Sequence, residues 1–217
     1  VESKTNTTFE IKFSNQESIT DVLAVDLKNK PFRLKDKLLF RPSGHGALIK
    51  NLNQIDADIF FIKNVDNVVV NKYLDEIARY KKALAGMLLD TQRQVFIYAK
   101  DLESSNISKG KLDEITDFLV QKLNIIINPQ FEKYAKKHKI EYLQSKINRP
   151  IRVCGMVKNE SEPGGGPFWI KHDNGEVSLQ IVESSQVDVS LKNQKAILTN
   201  ATHFNPVDIV CGVKNHK

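Results

Sequence analysis

The chain has 217 residues, 41% of them hydrophobic, with 32 Lys and Arg against 26 Asp and Glu for a formal charge of +6. That apolar share is enough for a buried core and excludes a disordered chain, and the lack of any uninterrupted apolar run of about 18 residues excludes a membrane span. The basic excess sits in residues 72–150, with 15 basic and 10 acidic side chains. Its densest run, Lys133, Lys136, Lys137 and Lys139, has the spacing of a solvated helix face and no interleaved aromatics for base stacking, so no nucleic-acid partner is expected.

In chain order, Phe9 to Phe13 alternates with the period of a half-buried strand, Val22 to Val25 is a second strand, Asn29-Lys30-Pro31 a turn, and Leu38 to Phe40 a third strand. Ala47, Leu48, Leu52 and Ile55 follow at helical spacing, and Asp58 to Ile62 reads as a strand buried on both faces. The result is a strand–loop–helix–strand unit of an α/β sheet. Residues 72–150 predict a helical insertion of about three helices. One stripe runs through Tyr73, Ile77, Tyr80, Leu84, Met87 and Leu88; a second, capped by Ser108, through Leu112, Ile115, Phe118, Leu119 and Leu123; a third through Phe131, Tyr134, Ala135 and Tyr142. From Pro150 onward strands return at 151–157, 168–170, 177–182, 196–199 and 209–213, with Asp173-Asn174-Gly175 as a hairpin turn. The fold class is thus α/β on a mixed sheet, a single domain over 1–217 with the insertion inside it. Cys154 and Cys211 read as buried thiols in a reducing, cytoplasmic setting. The opening Val-Glu-Ser-Lys, with no Met and no leader, reads as a piece of a longer protein.

Three polar segments, two of them glycine-bearing, fall where strands end. Arg41-Pro42-Ser43-Gly44-His45-Gly46 precedes a helix and would let a ligand approach the backbone, or is a tight turn with a surface His. Lys63-Asn64-Val65-Asp66-Asn67 follows the apolar strand; its carboxylate suits Mg²⁺, or an Asx turn. Glu162-Pro163-Gly164-Gly165-Gly166-Pro167 either lines a polar ligand or is a flexible loop. Glu183 and His203 stand at further strand ends. No Ser–His–Asp order, zinc spacing or Walker loop is present.

These segments resemble the UDP-N-acetylhexosamine and UDP-sugar pyrophosphorylases. Pro42-Ser43-Gly44-His45-Gly46 is similar to their Pro-x-Gly-(Asn/His)-Gly turn, Val65-Asp66-Asn67 to their Val-Asp-Asn, Glu162-Pro163 and Val182-Glu183-Ser184-Ser185-Gln186 to their Glu-Pro…Val-Glu-Tyr-Ser-Glu, and Ala201-Thr202-His203-Phe204 to an Ala-Asn-His-Phe. Over most of the chain, Arg41 to Leu48 and Arg149 to Glu160 look like an uncharacterised bacterial family, domain of unknown function 4301. The resemblance implies a nucleotide-diphospho-sugar transferase (GT-A-like) fold and a Mg²⁺-dependent sugar-phosphate nucleotidyltransferase. In it Gly44, His45 and Gly46 meet the nucleotide, Asp66 is the catalytic metal ligand, and Gly165, Glu183 and Asn200 contact the sugar. The alternative is a non-catalytic nucleotide-sugar binding or sensing module. The pyrophosphorylases' Gly-rich loop with its Arg and Lys has no counterpart in residues 1–40, and Ser184 and Gln186 replace their Tyr and Glu. By that resemblance the chain is a second half, inactive without an N-terminal half.

Overall fold

The computed structural model describes residues 2–65, 68–104, 106–160 and 164–217, and they form two compact units, 1–57 and 58–217. In the first, α1 (Glu2–Thr5) leads into β1 (Val22–Leu23), β2 (Arg33–Leu34), β3 (Lys37–Leu38) and β4 (Phe40–Arg41), and then a 3₁₀ turn at His45–Leu48 and α2 (Ile49–Asn53). β1 pairs antiparallel with β4 and β2 with β3. Asn29, at φ +61°, makes the expected turn, closed by the Asp26 carboxylate, which accepts from the Lys28 and Lys30 N–H groups. The strand expected at Phe9 to Phe13 does not form: the segment is irregular, and Phe13 is 96% exposed. An alternating pattern yields a strand only where a partner strand satisfies its backbone and a core covers its apolar side, and no strand of the unit pairs there.

The second unit is built on a three-stranded sheet that is wholly antiparallel rather than the expected mixed one, because the strand between the two edges runs against both of them. β5 (Ile59–Lys63) and β6 (Ile151–Cys154) flank β11 (Asp208–Gly212), and both run antiparallel to it. β4 therefore does not share a sheet with β5, so the expected strand–helix–strand unit is not made. Nor is β5 buried on both faces. It is a sheet edge, and Phe61 is 58% exposed.

Between β5 and β6 lie the three expected helices, α3 (Leu74–Asp101), α4 (Lys109–Gln121) and α5 (Lys136–Ile147). α3 opens with Asp75 and Glu76, which favour the positive end of the helix dipole. At 28 residues it extends about 42 Å. That reach lets its first half cover the sheet through Leu84 and Leu88, while Val95, Tyr98 and Ala99 enter the helical core. Tyr73, Tyr80 and Met87, expected in its apolar stripe, are exposed. Ser108 caps α4 as expected, its Oγ accepting from Lys111 N–H at 3.1 Å. The core holds Leu112, Ile115, Leu119, Phe131, Leu143 and Ile147 from α4, α5 and their linker. Among the described residues no helix is long and apolar enough to cross a membrane.

β7 (Val157–Lys158) pairs with β10 (His203–Phe204), and β8 (Gly165–Lys171) with β9 (Val177–Glu183), across the expected turn at Gly175, φ +79°. Residues 196–199, expected as a strand, belong to α6 (Lys192–Thr199). Four apolar-rich residues do not distinguish the two periods, and the preceding Lys192-Asn193-Gln194-Lys195 extends them as a helix.

Candidate functional site

Residues 164–166 do not form a loop. Gly165 and Gly166 are buried at the start of β8. Gly165 stands opposite Glu183, and a Cβ on it would lie 2.7 Å from Ile181 Cγ2 and 3.0 Å from Glu183 Oε1. One on Gly166 would lie 2.8 Å from the Phe168 ring. Glycine is thus required here by close approach, and its effect is to seat the Glu183 carboxylate over bare backbone. Glu183 also caps the following 3₁₀ turn, with its carboxylate accepting from Gln186 N–H while its own N–H donates to Gln186 Oε1 at 2.9 Å. A carboxylate has about four lone-pair positions, so capacity remains for further donors.

The C-terminal strands close on the same ribbon. Asn205, only 4% exposed, donates its backbone N–H to the Gly165 carbonyl at 2.7 Å. Its side-chain Nδ2 donates to the Gly155 carbonyl at 2.7 Å, and its Oδ1 accepts from Val207 N–H at 3.1 Å. That last bond holds Val207 at φ +59°, a region a β-branched residue rarely enters. Asp208 follows, opposite Lys63 at the end of β5, and accepts from Lys81 Nζ of α3. Asn205, Val207, Asp208 and Lys81 were not among the sequence candidates. The Asn205-Pro206 pair and a lone carboxylate opening an apolar strand were the available signals; Lys81 gave none.

The other candidates stand apart from this ribbon or outside the description. Asn200 is the exposed C-cap that follows α6, its N–H donating to Ala196 C=O at 3.1 Å; it is Asn205, five residues on, that meets Gly165. His203 is exposed, with Nδ1 2.9 Å from Thr202 Oγ1. In the first unit Gly44 is the N-cap of the short 3₁₀ turn, His45 is exposed, and a side chain begun at Gly44 or Gly46 would meet open space. Asp66 and Asn67 lie outside the described residues, as do Glu162 and Pro163. Among the described residues no three His, Cys, Asp or Glu side chains converge as metal ligands, and Asp208 is already neutralised by Lys81. The described side chains therefore do not complete a divalent-cation site.

A family model described as Domain of unknown function (DUF4301) matches residues 1–217. The chain belongs to that family. No curated protein and no solved structure matches it.

The two thiols of this DUF4301 chain, far apart in sequence, sit diagonally on adjoining strands of one sheet face, since Cys154 faces Ile209 and Cys211 is two residues further on. Both are half-buried rather than buried, and both are free. Burial pushes both pKa values up, for Cys211 with a further push from Cys154. Neither is poised as a nucleophile.

Proposed function

We propose that this DUF4301 chain is the sugar-side portion of a Mg²⁺-dependent sugar-phosphate nucleotidyltransferase of the nucleotide-sugar pyrophosphorylase type, on a GT-A-like fold. The observation that carries the reading is the pairing of Glu183 with Gly165: an acceptor-only group is held against side-chain-free backbone at the paired ends of β8 and β9. Such a group orients ligand hydroxyls, while the missing Cβ keeps the approach clear. The motif resemblance supports the choice of a nucleotide-sugar as ligand.

In this reading a phosphate oxygen of a sugar 1-phosphate attacks the α-phosphorus of a nucleoside triphosphate, and the bond to pyrophosphate breaks. Little covalent work falls to the protein, since such transfers depend on positioning and charge neutralisation. Glu183 fixes the sugar by accepting from its hydroxyls. Asn205 fixes the ribbon that carries Glu183's partner strand. Asp66 is the proposed metal ligand, and Gly44, His45 and Gly46 the proposed nucleotide contacts.

The test is calorimetric titration of the full chain with UDP-N-acetylglucosamine and with UTP, each with Mg²⁺, alongside Glu183→Gln and Asp66→Asn. Glu183→Gln is expected to weaken the nucleotide-sugar at least tenfold and leave UTP unchanged. Loss of Mg²⁺ dependence in Asp66→Asn with unchanged sugar affinity fits the same assignment. Binding of neither ligand would overturn the reading. Binding without pyrophosphate-dependent turnover, even with an added N-terminal half, would leave a nucleotide-sugar binding module.

A further inference from the structure

A cavity of about 520 Å³ in the second unit is lined by every residue of β6 from Ile151 to Cys154 and by every residue from Glu176 to Ile181 along β9. Successive side chains of a strand point to opposite faces. A cavity touched by consecutive residues therefore runs along a strand's edge, and this one lies between two edges. Among the described residues neither edge is paired: β6 pairs with β11 alone and β9 with β8 alone.

The register fixes which backbone groups face the slot, because hydrogen-bonded and non-hydrogen-bonded pairs alternate in an antiparallel ladder. Gly155 N–H donates to Asp208 C=O at 2.8 Å, so alternation from that pair turns the N–H and C=O groups of Arg152 and Cys154 away from β11. His172 N–H donates to Glu176 C=O at 2.8 Å, so alternation along the hairpin turns those of Val177, Leu179 and Ile181 away from β8. Two further facts agree. Pro167, which has no N–H, stands opposite Ile181, and the Glu183 N–H is free to leave the ladder for Gln186. Among the described residues only side chains span the slot, through Arg152 to Gln180 and Lys146 to Glu176.

The charged groups among the largely apolar walls are mostly basic. Lys122, Lys146, Arg149 and Arg152 face one carboxylate, Glu176, which Lys146 already engages at 2.5 Å. We propose that this slot takes an extended, acidic peptide strand of a partner protein, which pairs with β6 on one side and β9 on the other and joins the three-stranded sheet and the hairpin into one. Backbone pairing supplies the fit and the cationic wall selects acidic side chains, as in other strand additions to open sheet edges. The inference stands apart from the nucleotide reading, since neither Glu183 nor Asp66 takes part in it.

The probe is a blocked, fluorescent Glu-Val-Glu-Val-Glu-Val peptide titrated against the full chain by anisotropy. Controls are the same peptide with N-methylated amides and the chain carrying Leu179→Pro. Proline is tolerated on an edge strand where its missing N–H points outward, and circular dichroism checks that this variant is folded. Binding weakened at least tenfold by N-methylation and by Leu179→Pro, with amide exchange at Arg152, Cys154, Leu179 and Ile181 slowed at least tenfold, is the expected result. No binding would overturn the proposal, as would equal binding of the N-methylated peptide, which marks a plain anion site. Self-association of the peptide-free chain that Leu179→Pro abolishes would also overturn it, making a second copy the occupant.

Discussion

Residues 1–57 and 58–217 carry comparable apolar patterns and reach opposite ends of the burial scale. No described residue of the first unit is buried, and Ile11, Phe13, Ile19 and Leu27 are each more than three-quarters exposed. The second unit buries Leu88, Ile115, Leu119 and Leu143 completely. The difference is one of partners. The first unit's strands are two residues long and pair two by two, too short to present a face, whereas in the second a 28-residue helix gives α4, α5 and the sheet one common surface to cover.

The largest expected effect that would break this comparison is in the helical core. Leu119→Ala should cost about 2–5 kcal/mol, the range for truncating a fully buried leucine, while Phe13→Ala should stay within about 0.5 kcal/mol. Urea unfolding of the full chain followed by circular dichroism measures both, and equal losses would mean that the first unit has a core after all.

Glycine sharpens the contrast at smaller cost. Gly165→Ala places a methyl 2.7 Å from Ile181 Cγ2 and should destabilise by about 1–3 kcal/mol, as overpacking does. Gly44→Ala meets open space at an ordinary negative φ and should be close to neutral. The same urea series reads both, and a neutral Gly165→Ala would remove the close-approach argument for Glu183.

The smallest effect lies in an ion pair that links helix to hairpin. Lys146, 7% exposed, is held 2.5 Å from Glu176, and that bond keeps the Glu176 carboxyl below the usual glutamate range. A lowered folded value means stability that is fully present above the ordinary glutamate pKa and is lost as pH falls through the folded one. Glu176→Gln should cost about 1–2 kcal/mol at neutral pH, since the carboxylate is half exposed. The variant should also unfold with a weaker dependence on pH below the glutamate range. Thermal melts between neutral and acid pH check both, and an unchanged acid limb would show that Glu176 contributes nothing there.

Local chemistry was legible wherever it acts over a few residues. Ser108 capped its helix, Asn29 and Gly175 made their turns, the stripe of α4 went inward, and the β8–β9 hairpin formed across its expected turn, while the single strand expected over 151–157 divides into β6 and β7 in two different sheets. Period two at Phe9 to Phe13 and a short apolar run at 196–199 were ambiguous for the same reason: a strand is completed by another strand, and its neighbours in sequence do not supply one.

By itself the sequence determined the helical block, the hairpin and the glycine cluster, because helix stripes, caps and turns depend on residues at most a few positions apart. Only the tertiary structure decided that β11 runs between β5 and β6, that Glu183 rests on Gly165, that Asn205 and not Asn200 closes the ribbon, and that two open edges face each other across one basic slot. Each of these joins residues far apart along the chain, and strand order and register are set by which surfaces can be buried and which backbone groups paired at once.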